Sequence, residues 1–191
     1  MKFLFFDYIS NKINWYLLKP KLKNIKLVIS DVDGVLTDGG IYFSSSGEQI
    51  RKFNVKDGLG IKLLQENGIE VALISGGKGN SIIERAKGLD ITHYFTEIKN
   101  KQLSVKQLQE KLGISINETA FIGDDLNDIN VKKNVSLLIA PSDATYEYKK
   151  NSNGLLTKEG GNAAFREFAD KLLKAKRKWV KIKTMGWIGN N

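Results

Sequence analysis

The chain has 191 residues, of which 41% are hydrophobic and 27% charged, and this balance predicts one soluble globular domain. It contains no cysteine, which excludes a disulfide framework, a thiol nucleophile and a cysteine-ligated metal site. His93 is the single histidine, so the composition also disfavours histidine-rich metal sites and histidine-based catalytic triads. Any metal ion bound here should therefore be a hard cation held by oxygen atoms.

The net charge of +9 is concentrated at the two ends of the chain. Residues 1–26 carry six lysines against one aspartate, and residues 171–191 carry six lysines, one arginine and no acid. The body between them therefore has a small acidic excess. A basic protein often binds nucleic acid, but this body lacks aromatic–basic interleaving and a groove-reading helix, so we expect no nucleic-acid partner.

Residues 1–24 are predicted to form a basic, aromatic N-terminal arm. Its apolar run is interrupted by Asp7, Asn11 and Lys12, and no small-residue cleavage site follows. These features are not typical of a signal peptide or of a membrane span. We favour a helical arm that docks on its own domain or on a neighbouring subunit; the alternative is an amphipathic segment that contacts a membrane surface.

The body alternates between strand-like and helix-like segments. Short apolar runs at residues 25–30, 70–75, 91–95, 119–123 and 136–140 predict buried parallel strands, and stretches of helical period separate them. This alternation predicts an α/β fold with a parallel sheet flanked by helices on both faces. Residues 38–55 alternate around a turn at 44–47, which predicts a β-hairpin inserted after the first strand.

Carboxylates follow the first and the fourth predicted strands, at Asp31, Asp33, Asp124, Asp125 and Asp128. Ligands of open parallel sheets bind at the carboxyl ends of the strands, so these side chains should share one edge. Turn chemistry and helix capping are the alternatives for individual aspartates. An EF-hand loop is excluded because Tyr42 stands where that loop requires glutamate. Carboxylates packed this closely repel one another, so we expect Mg²⁺ among them.

Two further strand ends carry groups that suit an anion. Ser75 and Gly76 end the second strand, where a hydroxyl and free backbone N–H groups form a ready anion site. Lys101 follows the third strand and could reach a phosphate as a point charge. Taken singly, the serine is equally typical of a helix N-cap and the lysine of a solvated surface.

The order of these motifs along the chain resembles that of the haloacid dehalogenase superfamily of phosphotransferases. DVDGVLTDG corresponds to its first motif, Ser75 to the second, Lys101 to the third and GDDLND to the fourth. Over residues 25–173 the chain is similar to the family of 3-deoxy-D-manno-octulosonate 8-phosphate phosphatases and their sialic-acid-type relatives, through DGVLTDGGIYF, FNVKDGLGIKLL, ITHYF, GDDLND and GGNAAFRE.

The resemblance implies a cap-less Rossmann-type phosphatase domain over residues 25–173. The charge pattern adds a basic C-terminal tail over residues 174–191, which we expect to continue the last predicted helix. The resemblance also implies a cytoplasmic homotetramer that takes part in lipopolysaccharide biosynthesis. In such an assembly the 38–55 hairpins of several subunits would meet, and the apolar Tyr42 and Phe43 would be covered there.

The resemblance further implies Mg²⁺-dependent hydrolysis of a phosphate monoester on a 2-keto-3-deoxy sugar acid. Asp31 would be the nucleophile that forms an aspartyl-phosphate, and Asp33 the general acid and base. Asp31, the main-chain carbonyl of Asp33 and Asp124 would bind the Mg²⁺ ion.

The remaining motif residues are assigned to the phosphoryl group and to its support. Ser75, the Gly76 N–H and Lys101 would hold the phosphoryl oxygens. Asp125 would hold a metal-bound water or orient Lys101. Asp128 would support the site from behind or cap a helix.

The chain departs from the family where a sugar acid would be recognised. The phosphatases usually read TGR and GGRG, and this chain has Gly77 and Asn162 in place of those arginines. Lys78 or Lys158 could compensate, and Asp57 could touch the sugar or cap a helix. The substrate-binding candidates are Lys56, Asp57, Lys78 and Asn127.

Two other functions stay open at this stage. A nonulosonate 9-phosphate phosphatase is one, because those relatives vary at the same positions and Asn127 is typical of them. A non-catalytic oligomerisation module of the type attached to cytidylyltransferases is the other. The intact catalytic positions count against that module.

Overall fold

A computed structural model describes residues 11–186 of the chain. The main sheet contains six strands: β1 (Leu27–Ser30), β4 (Glu70–Ile74), β5 (His93–Phe95), β6 (Thr119–Ile122), β7 (Leu137–Ala140) and β8 (Gly154–Leu155). Their order is β5-β4-β1-β6-β7-β8, and every neighbouring pair is parallel. The parallel α/β sheet predicted from the sequence is therefore confirmed.

The helices that accompany the sheet include α1 (Lys19–Asn24), α2 (Val55–Glu66), α3 (Asn80–Gly88), α4 (Lys101–Leu112), α5 (Leu126–Ile129), α6 (Tyr146–Asn151), α7 (Ala164–Ala175) and α8 (Trp179–Met185). Residues 11–17 are helical as well. Local sequence explains their ends. In α4, for example, the Asn100 side chain accepts a hydrogen bond from the Leu103 N–H, and Gly113 ends the helix with φ of 64°.

Two hydrophobic cores cover the two faces of the sheet. One core packs α2, α3 and α7 against one face, with Ile61, Ile82 and Phe165 among its buried side chains. The other packs α4 and α6 against the opposite face, with Leu108 and Tyr148. Strands such as β1 are buried on both sides, because apolar residues face both cores, and this explains their continuous apolar sequence.

The predicted hairpin forms from β2 (Tyr42–Phe43) and β3 (Gln49–Ile50), which pair antiparallel as a separate sheet. The sixth strand, β8, was not predicted. It has two residues, it adds to the sheet edge beside β7, and such a short segment carries too little periodicity to be read from sequence.

The described part of the arm, from residue 11, packs on its own domain. Trp15 is buried, its Nε1 donates to the Leu155 carbonyl at 3.0 Å, and its ring lies against Phe168. Residues 1–10 lie outside the described residues. In the described range, no helix is long and apolar enough to cross a membrane.

The basic C-terminal segment differs from its expected form, a continuation of the last helix. Helix α7 ends at Ala175, Arg177 takes a positive φ of 60°, and α8 begins as a separate helix at Trp179. Trp179 and Ile182 pack against the core, and the Lys174 ammonium lies over the Trp179 ring. Apolar side chains within the tail therefore turn it back onto the domain.

Candidate active site

The strand order brings the chemically active strand ends together. Strands β4, β1 and β6 are adjacent, so the residues that follow them meet at one edge of the sheet. A pocket at this edge is lined by Asp31, Asp33, Gly34, Gly39, Ser75, Gly76, Gly77, Asp124, Asp125 and Asn127. Most of the candidates for catalysis, phosphate binding and metal binding thus share one site.

Asp31 follows β1 directly and lies at the bottom of the pocket with its side chain almost fully buried. Its Oδ1 atom accepts a hydrogen bond from the Val32 N–H at 2.7 Å and forms an ion pair with the Lys101 ammonium at 2.9 Å. Burial and the nearby charge of Asp128 raise the pKa of Asp31 to about 8, against the lowering effect of Lys101. A bound cation, together with the charge of Lys101, would lower the pKa of Asp31 and favour its ionised form. Only the ionised carboxylate can act as a nucleophile.

Lys101 is buried at the start of α4 and joins two carboxylates. Its Nζ lies 2.9 Å from Asp31 and 2.6 Å from Asp128 Oδ1. Burial lowers the pKa of Lys101, but the charges of Asp31 and Asp128 outweigh burial, and the net pKa lies above its usual value. Lys101 is therefore a fixed cation beside the candidate nucleophile.

Asp128 is fully buried, and both of its oxygens accept hydrogen bonds. Oδ1 accepts from Lys101, and Oδ2 accepts from the Asp124 N–H at 3.2 Å. Of the two interpretations left open by the sequence, the contacts favour support of the site. Asp128, rather than Asp125, holds Lys101 in this structure.

Three carboxylates form a potential cation site. Oxygens of Asp31, Asp124 and Asp128 all lie within 4.8 Å of one another. Burial, together with Asp128 and Asp125, raises the pKa of Asp124 to about 7. A side chain on Gly34 would clash with this group, because its Cβ would lie 2.1 Å from Asp124 Oδ2. A hard, oxygen-loving ion such as Mg²⁺ suits this donor set.

The anion side of the pocket has the predicted residues. Ser75 is buried, lines the pocket and accepts the Gly77 N–H on its Oγ at 3.0 Å, while Gly76 is exposed beside it. Asp125 lies at the rim, where its side chain accepts the Leu126 N–H at 2.7 Å and begins α5.

Arg51 is a site residue that the sequence analysis missed. It follows β3 of the hairpin, and its Nε donates to Asp33 Oδ1 at 2.7 Å while Nη2 donates to Oδ2 at 3.2 Å. The carboxylate of Asp33 therefore faces Arg51 and stands outside the three-carboxylate cluster. A basic residue in an alternating hairpin is usually solvent-exposed, and only the burial of Arg51 marks it as different.

The substrate candidates separate into two groups. Asn127 lines the pocket, whereas the exposed Lys56 and Lys78 are not among its lining residues. Asp57 is buried elsewhere, where its Oδ1 accepts the Arg166 N–H at 2.9 Å in the first turn of α7. The contacts of Asp57 thus agree with the helix-capping alternative, and the helix that Asp57 caps is α7.

Positions 77 and 162, which lack the expected arginines, differ in their location relative to the pocket. Gly77 lines the pocket, and a Cβ there would lie 2.6 Å from Asp33 Oδ2 and 2.9 Å from Arg51 Nη2. Asn162 is exposed and is not part of the pocket lining, and Lys158 is exposed as well.

Comparison with known proteins places the chain in a family. Residues 55–134 match the model of the haloacid dehalogenase-like hydrolases. A 3-deoxy-D-manno-octulosonate 8-phosphate phosphatase of Escherichia coli K12 is 41% identical over 158 residues, which cover 83% of this chain and 84% of that protein. The Haemophilus influenzae protein of the same name is 38% identical, over 84% and 89% of the two chains. This chain belongs to the haloacid dehalogenase-like hydrolases.

A solved structure gives the same result for the fold. The 3-deoxy-D-manno-octulosonate 8-phosphate phosphatase of Moraxella catarrhalis, crystallised with a magnesium ion, a phosphate ion and a KDO molecule, superposes with a TM-score of 0.86. It is 35% identical, and the alignment covers 89% of this chain and 98% of that one. The predicted haloacid dehalogenase-like fold is thereby confirmed.

Proposed function

We propose that this hydrolase is a Mg²⁺-dependent phosphatase that converts 3-deoxy-D-manno-octulosonate (KDO) 8-phosphate to the free sugar acid and inorganic phosphate. The observation that carries the proposal is the pocket that Asp31, ion-paired with Lys101, lines together with Ser75 and Asp124. A nucleophile, a cation, a hydroxyl and a metal ligand are what phosphoryl transfer requires there. The similarity to named KDO 8-phosphate phosphatases supports the choice of substrate.

The reaction proceeds in two displacements at phosphorus. In the first, an Asp31 oxygen forms a bond to phosphorus while the bond from phosphorus to the sugar oxygen breaks, and Asp33 donates a proton to that leaving oxygen. In the second, Asp33 takes a proton from a water that attacks the aspartyl-phosphate. Inorganic phosphate leaves, and the Asp31 carboxylate is regenerated.

Asp31, Asp124 and the main-chain carbonyl of Asp33 are the proposed Mg²⁺ ligands. Asp128 acts behind them, because both of its oxygens already accept hydrogen bonds from Lys101 and the Asp124 N–H. A bound Mg²⁺ ion supplies positive charge to the transferring phosphoryl group. Lys101, Ser75 and the Gly76 N–H bind the other phosphoryl oxygens.

We further propose that the protein assembles as a homotetramer through its hairpins. The hairpin exposes a contiguous apolar set, Ile41, Tyr42, Phe43 and Ile50, which a monomer would leave in water. We also propose that the reaction takes place in the cytoplasm, as a step towards lipopolysaccharide, because phosphorylated sugar intermediates are made and consumed inside the cell.

A panel of phosphorylated sugar acids tests this function. With Mg²⁺ present, phosphate release should be fastest from KDO 8-phosphate, and EDTA should abolish it. Faster release from a nonulosonate 9-phosphate would mean that this compound, and not KDO 8-phosphate, is the substrate. Asn127 and the missing arginine at Gly77 are the reasons for including it in the panel. Absence of turnover on the whole panel would favour a non-catalytic oligomerisation module instead.

Asp31→Asn is the matched control for that panel. The substitution preserves shape but removes the nucleophilic carboxylate, so turnover should fall at least about 1000-fold while the melting temperature changes little. Substantial remaining activity would exclude Asp31 as the nucleophile.

A further inference from the structure

Arg51 and Asp33 form a two-point ion pair at the edge of the pocket. The two nitrogens of Arg51 donate to both carboxylate oxygens of Asp33, at 2.7 and 3.2 Å. The arginine is only 6% exposed, so its side of the pair is largely withdrawn from solvent screening, while the Asp33 side chain is 26% exposed towards the pocket. Bidentate pairing of a guanidinium with a carboxylate defines orientation as well as distance.

The guanidinium of Arg51 is itself held from two other directions. Nη1 donates to Ser81 Oγ at 3.3 Å in the first turn of α3, and Nη2 contacts Gln49 Oε1 at 3.4 Å within the hairpin. Arg51 therefore connects the hairpin and α3 to Asp33. Its orientation does not depend on Asp33 alone.

Two glycines leave the space that this ion pair occupies. A Cβ on Gly77 would lie 2.6 Å from Asp33 Oδ2 and 2.9 Å from Arg51 Nη2, and one on Gly79 would lie 3.0 Å from Arg51 Nη1. Distances below about 3.0 Å require the pair to move. The position of the buried Arg51 beside Asp33 therefore depends on the absence of a side chain at position 77.

We propose that Arg51 is a positioning residue for Asp33: its guanidinium holds the carboxylate in the orientation that the acid–base steps require. The inference rests on the proposed function, because it concerns the proton transfers assigned to Asp33. A carboxylate with free rotation would spend part of its time out of reach of the leaving oxygen. Misplacement of a reacting group by about 1 Å can reduce a rate about 100-fold.

The test compares Arg51→Met with Arg51→Lys. Methionine keeps most of the unbranched stem of arginine but removes the guanidinium donors, whereas lysine keeps the charge without the fork. With the best sugar phosphate of the panel, kcat should fall about 100-fold in the methionine variant while KM changes less than about 3-fold, and lysine should restore part of the loss. Lys52→Met is the control, since Lys52 is exposed and pairs with Asp38 rather than Asp33.

Two further readouts separate positioning from general damage. Arg51→Met should cost little in an Asp33→Asn background, because the group it positions is then gone. With p-nitrophenyl phosphate, the first release of nitrophenolate needs no proton, so its burst rate should change less than about 3-fold.

Additive losses in the double variant, or equal losses of the nitrophenolate burst and of sugar phosphate turnover, would overturn the proposal. Because any alkyl phosphate that the enzyme hydrolyses serves for the comparison, a different sugar preference would contradict the proposed substrate and leave this test intact. If Arg51→Met fails to fold, Arg51→Lys is compared in the wild-type and the Asp33→Asn backgrounds, and the same criterion of additive losses applies.

Discussion

Asp57 is a buried carboxylate that joins two helices far apart in the chain. It belongs to the first turn of α2, and it accepts the N–H of Arg166, 109 residues later, at the start of α7. Burial raises its pKa to about 6, although backbone N–H groups of α7 act in the opposite direction. Its other oxygen, Oδ2, is buried without a hydrogen-bond partner in the described part of the chain.

The raised pKa of Asp57 predicts a pH-dependent stability. A folded-state pKa above the unfolded value means that Asp57 contributes stability below about pH 4, and that this contribution is lost as the pH rises through about 6. In Asp57→Asn this part of the pH dependence should disappear, because the amide does not ionise. Urea unfolding between about pH 4 and pH 7 measures the difference from wild type.

Two controls complete the Asp57 measurement. Asp57→Ala should also lose this part of the pH dependence and should be about 1–2 kcal/mol less stable than Asp57→Asn at every pH, since the cap of α7 is removed. Glu159→Gln changes the same charge at an exposed position and should leave the pH dependence as in wild type. An unchanged pH dependence in Asp57→Asn would contradict the assignment.

At the scale of secondary-structure elements, the hairpin exposes apolar side chains that a monomer would leave in contact with water. Tyr42 and Phe43 of β2 are 58% and 67% exposed, yet both are large and apolar. A two-stranded hairpin is marginally stable alone in water, so it gains most by packing on another surface. Arg51 follows β3 of the hairpin and pairs with Asp33, which lines the pocket.

Replacing both Tyr42 and Phe43 by serine should therefore reduce the oligomer size. The apolar area between hairpins would be lost, while the main sheet, which lies elsewhere, would be unaffected. Sedimentation velocity of wild type and variant measures the change. Tyr146→Ser is a matched control, because Tyr146 is 72% exposed on α6, outside the hairpin. An unchanged oligomer, or a monomeric wild type, would contradict assembly through the hairpins.

At the scale of the whole molecule, the parallel sheet concentrates negative charge at one edge. The pKa values of Asp31 and Asp124 rise to about 8 and about 7, first through burial and then through neighbouring carboxylates. The stability that these groups contribute is present at low pH and is lost as the pH rises through about 7–8. The metal-free protein is thus expected to be less stable above neutral pH.

Mg²⁺ should reverse this loss because it binds the ionised carboxylates. At about pH 8.5 saturating Mg²⁺ should raise the melting temperature by about 5–10 °C relative to EDTA, and the gain should be smaller at about pH 6. Differential scanning calorimetry measures both values. Asp124→Asn should remove most of the gain, and a Mg²⁺ effect that is independent of pH would contradict this account.

Much of the fold and site could be predicted because the signals are local. Strand β1 lies within the apolar run at residues 25–30, Asp31 follows it directly, and Asp124 follows β6 after one glycine. Arg51 and the two-residue β8 could not be predicted in the same way. Arg51 is identified only by its burial against Asp33, and β8 is too short to show a period.

The sequence by itself determined the α/β fold, the order of the four motifs and the oxygen-rich character of the metal site. These properties depend on which residues follow which strands, and a parallel sheet brings strand ends together whatever the details of packing. Only the tertiary structure decided that Lys101 joins Asp31 to Asp128, that Asp57 caps α7 and that Arg51 holds Asp33. Partners of this kind are chosen by burial, because a buried charge must find its counter-charge or hydrogen-bond donor among whatever side chains the fold brings near.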